Sequence, residues 1–395
     1  AVAGCGPAGL AVSLMLVEAG HEICLYERFS SPRPVGSGII LQPTGLAVLR
    51  ELGLEASIHK LGQRIDRIHG VSMPAGREVL NVDYSALGDG YHGLAVHRAA
   101  LFDVLYEQVR SSSVLIKTAV EIVDATAAGK EITLWDANGE SRGTFELVVD
   151  ASGAGSRLSH RAIHPGRSRE LAYGALWGSF DWPAASFAAN TLEQRYVGAH
   201  TMIGVLPIGR HAAVEQDQVA FFWSIKSREY DAWLDRGLAH WKREVLAIWP
   251  ETQIILDQVN TASDMTLARY GHCTLRTPYG DNIAILGDAA HSTSPQLGQG
   301  ANMALLDAWS LAEALRGSDD VGSALRNYAA SRRWHVRAFQ LSSLLLTPFY
   351  QSDSRVLAAL RDLLFDPVAK LPLARRIVAG LISGMLASPP KRLQV

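Results

Sequence analysis

The sequence predicts an α/β protein: a parallel-sheet domain at the start of the chain, interleaved with an antiparallel-sheet (α+β) part and followed by C-terminal helices. Three observations predict it. A glycine turn, Gly4 to Gly9, stands between an apolar strand and a helix. Far downstream, Ile283-Ala284-Ile285-Leu286 ends in Gly287-Asp288, and a second glycine-rich loop opens onto another helix. Between them lie short alternating or apolar runs separated by turn residues, the pattern of an antiparallel sheet.

Bulk properties set the limits. A chain of 395 residues, 48% hydrophobic and 19% charged, can bury a large core and fold as two closely joined domains. A net charge of -2 gives no reason to expect a nucleic-acid partner, which requires a clustered basic surface. Cys5, Cys24 and Cys273 are spaced singly, which suggests neither a disulfide framework nor a thiolate metal site; no metal is expected, and a reducing cytoplasm fits. No apolar run approaches the ~18 residues of a transmembrane segment. The first strand, Ala1-Val2-Ala3, is shorter than the usual ~5 residues, so the sequence reads as starting inside it.

Taken in order, Gly4-Cys5-Gly6-Pro7-Ala8-Gly9 fits Gly-x-Gly-x-x-Gly and leads into a helix over Leu10–Ala19. Gly4 permits the turn, Gly6 lets a pyrophosphate approach the backbone, and Gly9 lets helix and sheet pack closely, with the helix N-terminus facing the anion. Gly20 stands where a left-handed cap would, His21 to Tyr26 reads as the second strand, and Glu27 ends it, placed to bind both hydroxyls of a ribose. By itself Glu27 would be an ordinary solvated charge; its position at the end of the second strand favours a dinucleotide site.

Gly36 to Pro43 is rich in small residues that permit close backbone approach. Gly70 to Tyr84 reads as a hairpin turning at Pro74-Ala75-Gly76, and Arg98 starts a helix after Val96-His97. Leu171–Phe180, Thr201–Leu206 and Val219–Ile225 read as strands of the antiparallel sheet. After Gly287-Asp288-Ala289-Ala290-His291 comes Pro295-Gln296-Leu297-Gly298-Gln299-Gly300-Ala301-Asn302, opening a helix over Met303–Leu315. The tail beyond Leu341 reads as amphipathic helices that pack on the core, with a dimer or weak membrane-surface contact as the alternatives.

Together these motifs resemble the class A flavoprotein monooxygenases, the FAD-dependent aromatic hydroxylases that include p-hydroxybenzoate and salicylate hydroxylases, over Gly4 to about Arg333. The resemblance implies a Rossmann-like FAD-binding domain over 1–70, 96–165 and 266–345, a substrate-binding sheet domain over 71–95 and 166–265, and C-terminal helices over 346–395. It implies that FAD is held by Gly4, Gly6, Pro7, Ala8, Gly9, Glu27, Arg28, Gly38, Arg98 and Val120. From the distant half it adds Asp288 toward the ribitol and Pro295, Gly298, Gly300, Ala301 and Asn302 beside the isoalloxazine. The departure is at Leu147 to Arg157, where Ser152 occupies the place of the family's aspartate, which puts the use of the nicotinamide donor in question.

The pocket candidates are Gln42, Tyr173, Trp177, Trp223, His291 and Pro295; for each aromatic residue core packing is the competing reading, and for His291 a structural role. The implied reaction takes NADH or NADPH, O2 and a small aromatic substrate, and inserts oxygen from a flavin C4a-hydroperoxide, in a monomer or homodimer. Alternatives are another FAD-dependent oxidoreductase, reductase or halogenase-like, although Trp-x-Trp does not occur among the nine tryptophans, and a non-catalytic flavin-binding regulator.

Overall fold

The computed structural model describes residues 1–32, 36–166, 168–369, 371–386 and 393–395. Val2–Ala3 lies in a six-stranded sheet ordered Tyr279–Gly280, Ile283–Ile285, Val148–Asp150, Val2–Ala3, Cys24–Tyr26, Leu115–Lys117. All its pairings are parallel except that of the Tyr279–Gly280 edge strand. The second strand begins at Cys24 rather than His21, because His21 and Glu22 are exposed and leave the sheet.

Helix Pro7–Glu18 starts within the glycine turn, three residues before the expected Leu10, since Pro7 has the fixed φ suited to a first helical position. Its residues Ala8 to Leu16 are all buried, because the parallel sheet covers one side and helices Arg98–Arg110 and Gly300–Arg316 the others. Gly20 follows it with φ +89°, in the left-handed region expected of a cap.

A seven-stranded sheet forms the other half, ordered Thr266–Ala268, Tyr173–Asp181, Val214–Lys226, Thr201–His211, Thr191–Val197, Arg67–Ser72, Arg77–Asp83. The expected hairpin is present, and it enters this sheet by parallel pairing of Arg67–Ser72 with Thr191–Val197, a strand not anticipated from the sequence. Helices Tyr230–Arg236 and Leu238–Ile248 cover one face, where Leu176, Phe221, Trp233 and Trp241 share a core. The opposite face carries Trp177 and Phe222 and turns toward the small sheet of Gly38–Leu41, Gly93–His97 and Gln63–Ile65.

Two further features went unanticipated: the three-stranded meander over Ile122–Ala128, Glu131–Asp136 and Ser141–Phe145, and the start of the tail helices. The first of these helices runs unbroken from Val321 to Tyr350, capped by Asp320, whose side chain accepts from the Ser323 amide at 2.9 Å. It is followed by Arg355–Ala369 and Pro372–Ile382.

Candidate functional site

The carboxyl ends of the parallel strands open onto a shallow cleft, the usual place for a ligand in such a sheet. Gly4 has φ +105°, and its amide donates to Tyr26 O at 2.8 Å. A Cβ on Gly9 would stand 1.9 Å from Gly4 O, whereas one on Gly6 would meet nothing within 4 Å. The open side of the turn is therefore at Gly6, which caps a helix whose first turn holds no acidic residue and no side-chain cap. The amides there remain available for an anion.

Glu27 is fixed at the edge of this turn: its Oε2 accepts from the Cys5 amide and its Oε1 from the Phe29 amide, each at 3.0 Å. Beside it is a cleft of about 60 Å³ lined by Gly4, Glu27, Arg28, Val120, Ser152 and Arg157, among others. Ser152 donates through its hydroxyl to Asp150 Oδ1 at 2.6 Å, and Ser156 donates to Oδ2 at 2.5 Å. Burial of Asp150 pushes its carboxyl above the usual range despite these two donors. A serine at position 152 thus removes one carboxylate from the cleft and clamps another beneath it.

The distant motif comes to the same opening. Gly287, at φ +58°, turns the chain so that Asp288 is exposed, and Asp288 Oδ1 lies 3.8 Å from where a Cβ on Gly300 would be. Helix Gly300–Arg316, 17 residues long, therefore aims its positive end into the cleft next to Gly298 and Pro295, both exposed. Asn302 serves this loop from below: its Oδ1 accepts from the Gln42 amide at 2.8 Å, and its Nδ2 donates to Ile40 O and Gly298 O.

Gln42 is buried, and its Oε1 accepts from the Tyr84 hydroxyl at 2.7 Å. This directs Nε2, which has no partner among the described residues, toward Gly298; it lies 4.0 Å from where a Cβ there would be. A buried, unpartnered donor beside a glycine loop calls for an acceptor from a ligand.

Arg98 starts helix Arg98–Arg110 and lies against Gly36, where a Cβ would stand 2.9 Å from its Cδ; the Arg98 amide donates to Ser37 O. Gly38 is packed just as closely, against Ile208 of the large sheet. Trp177 stacks on Phe222 with centroids 4.5 Å apart and donates to the Tyr270 hydroxyl at 2.9 Å. Burial pushes the Tyr270 hydroxyl up to about 12, opposed by the bond from Trp177 and the charge of Arg98, so it stays protonated at neutral pH.

Two aromatic candidates part from this group. Trp223 points to the other face of the sheet, against Trp241, because neighbouring residues of a strand alternate and Phe222 already faces Trp177. Tyr173 shares Trp177's face but lies four residues along, donating to Asp353 at 2.8 Å; both it and Trp223 border a separate polar cleft of about 190 Å³.

His291 faces inward. Its Nε2 is 2.5 Å from Asp307 Oδ2, which also accepts from the Gly287 amide, while Arg332 Nε reaches Oδ1 at 2.7 Å. Burial would raise the Asp307 carboxyl, but His291 and Arg332 outweigh it and hold it well below the usual range. Arg332 in turn meets His335, whose other ring nitrogen is 2.9 Å from Gly384 O. Sequence reasoning missed Asp307, Arg332, Tyr84 and Tyr270; only Asp307, a carboxylate within an otherwise apolar helix segment, carried a visible signal.

These features fit FAD: an open glycine turn at a helix end, a carboxylate at the end of the second strand bordering a cleft, and a second helix end beside a buried amide donor without a partner among the described residues. Residues 1–341 match the FAD binding domain family, and the chain belongs to it. It is a class A flavoprotein monooxygenase of the aromatic-hydroxylase type, with FAD as its cofactor.

Among its relatives is the 6-methylpretetramide 4-monooxygenase of Streptomyces rimosus, 27% identical, with 97% of this chain and 91% of the relative aligned. An FAD-dependent urate hydroxylase of Klebsiella pneumoniae is 25% identical over 87% of this chain and 88% of its own. The fold matches that of Klebsiella pneumoniae HpxO, solved with FAD and uric acid, at a TM-score of 0.82 and 21% identity, covering 98% of this chain and 97% of that one.

Proposed function

We propose that this chain hydroxylates a small, electron-rich aromatic or heteroaromatic substrate, using NADH or NADPH and O2, in the cytoplasm. The observation that carries the proposal is the meeting of Gln42 Nε2, the Gly298–Ala301 helix end and the turn at Gly287-Asp288 on one opening. The relative named for urate, a small heteroaromatic ring, supports the substrate class.

When bound, FAD supplies electron transfer and oxygen activation. The chain's own residues hold and shield it. We assign Gly4, Gly6, Pro7, Ala8 and Gly9 to the pyrophosphate, Glu27, Arg28 and Val120 to the adenosine end, and Arg98 and Asp288 to the middle of the molecule. The amides at Gly300 and Ala301 stabilise negative charge on the ring, since they stand at a positive helix end already oriented for it, while Gly298, whose own amide donates to Pro295 O, turns the loop toward that end at φ +61°. Trp177 and Phe222 offer an apolar floor that excludes water, and the protonated Tyr270 hydroxyl keeps a hydrogen to donate toward a substrate oxygen or nitrogen.

The test is a screen of phenolic and N-heteroaromatic acids for stimulated NAD(P)H oxidation by the purified yellow protein, with 18O2 to trace the inserted atom. The expected result is a product carrying label from O2. A protein that binds FAD but never consumes NAD(P)H, with any ring compound, overturns the reading and leaves the flavin-binding regulator.

A further inference from the structure

The C-terminal helices carry apolar side chains that no other described residue covers. Among the described residues, thirteen of the seventeen large apolar side chains left exposed lie between Trp334 and Leu386. On Val321–Tyr350, Trp334, Leu341 and Leu345 recur at seven and four residues and so share one side of the helix. On Arg355–Ala369, Val356, Leu360 and Leu363 recur at four and three residues and likewise share one side. These are not marginal exposures: Trp334 is 65% accessible and Leu344 63%. Soluble proteins rarely gather so many exposed large apolar side chains in one segment without a use for them.

The charge on these helices is as uneven as their polarity. Residues 321–395 contain eleven Arg and Lys against three Asp, a net +8, in a chain whose total is -2. Two of the acids are turned onto partners in the protein: Asp353 onto Lys226 and Tyr173, Asp362 onto Arg361 and Ser72. Arg333, Arg337, Arg355, Arg375 and Arg376 are exposed. The guanidinium groups of Arg333 and Arg337 lie 5.2 and 5.5 Å from the Trp334 ring, so an exposed aromatic ring is bracketed by two cations.

A second copy of the chain is a poor occupant, because a twofold interface places the same patch on both sides and would set these arginines against one another. An anionic lipid surface meets both requirements: leucines and Trp334 enter the headgroup boundary while arginines pair with phosphates. Among the described residues no helix is long and apolar enough to cross a membrane, so the contact is peripheral. We propose that this C-terminal face docks the protein on an anionic membrane surface.

The experiment is flotation of the FAD-loaded full chain with phosphatidylcholine vesicles, with and without about one-third phosphatidylglycerol. The protein is expected to float with the anionic vesicles only, and less as salt is raised. The pair R333Q/R337Q is expected to weaken partitioning roughly thirtyfold, about fivefold for each arginine. The pair W334S/L341S is expected to abolish it. All four positions are exposed, so both variants should keep the flavin spectrum and melting temperature of the parent. Absence of flotation with anionic vesicles, equal flotation with phosphatidylcholine alone, or full flotation of R333Q/R337Q overturns the proposal. A dimer that W334S/L341S splits without changing flotation also overturns it, reassigning the face to a second copy.

Discussion

Gly6 and Gly9 stand three residues apart in one turn, yet their surroundings differ completely: open space at Gly6, and Gly4 O at 1.9 Å from a Cβ on Gly9. Gly6→Ala should therefore leave apoprotein stability within ~0.5 kcal/mol while weakening FAD binding at least about tenfold, because the methyl occupies the approach of the pyrophosphate. Gly9→Ala should cost about 1–3 kcal/mol through forced backbone shifts. Urea denaturation of the apoprotein and a flavin fluorescence titration separate the two; a Gly6→Ala protein with parental FAD affinity would refute the assignment of Gly6. The roles of these glycines were legible because a turn of six residues contains its own geometry. The Gln42–Tyr84 bond was not, since its partners lie 42 residues apart and meet only through the fold. Tyr84→Phe strands a buried Gln42 oxygen and should lower stability by about 1–3 kcal/mol, whereas Q42L/Y84F, which removes both ends, should recover part of that loss. Equal losses in the single and double variants would show that the bond contributes nothing.

Elements are joined at the site by the buried chain of Asp307, Arg332 and His335, which ties helix Gly300–Arg316 to Val321–Tyr350 and, through Gly384, to the turn after the last helix. The sequence displayed the Gly287-Asp288 turn openly but hid what holds it, because Asp307 lies within an apolar helix segment and its partner Arg332 is in the next helix. This chain sets a pH response. Burial, then the charge of Arg332, lowers His335 to about 3 from an ordinary 6.5. Between those values the unfolded chain takes up a proton that the folded one refuses, so stability is intact above about pH 6.5 and falls as the pH drops toward 3. At about pH 5 the loss from this residue should approach ~2 kcal/mol. Asp307 acts in the same direction but only below its ordinary value of 3.8, so it adds nothing between about pH 7 and pH 5. His335→Gln keeps a donor and an acceptor without the titration. Chemical denaturation at about pH 7 and pH 5 should show a smaller drop for the variant by roughly that amount; parallel drops would remove His335 from the acid response.

At the scale of the whole molecule, the α/β class with an antiparallel half was legible from local patterns, but the way the halves are woven together was not. The strands Gly38–Leu41 and Gly93–His97 pair with each other beside the flavin opening, while the hairpin between them, Arg67–Asp83, leaves to join the large sheet. Its partner strand, Thr191–Val197, begins more than a hundred residues later, a pairing that no local periodicity could reveal. This weaving has a thermodynamic consequence. A ligand that binds only the folded state stabilises whatever unfolds cooperatively with its site, by about 2.7 kcal/mol at a hundred times its dissociation constant. The glycine turns belong to the parallel-sheet half, whereas six of the nine tryptophans, Trp177 to Trp249, lie in the antiparallel half and report on it by fluorescence. If the exchanged hairpin and the packing of Gly38 against Ile208 make one cooperative unit, saturating FAD should move the tryptophan transition as far as it moves flavin release. Two halves that merely touch would behave otherwise: flavin release and loss of helical signal would shift together while the tryptophan transition stayed where it was without FAD. Thermal scans of apo and FAD-loaded protein, followed by flavin fluorescence, tryptophan fluorescence and far-ultraviolet circular dichroism, distinguish these outcomes, and a single common shift is expected.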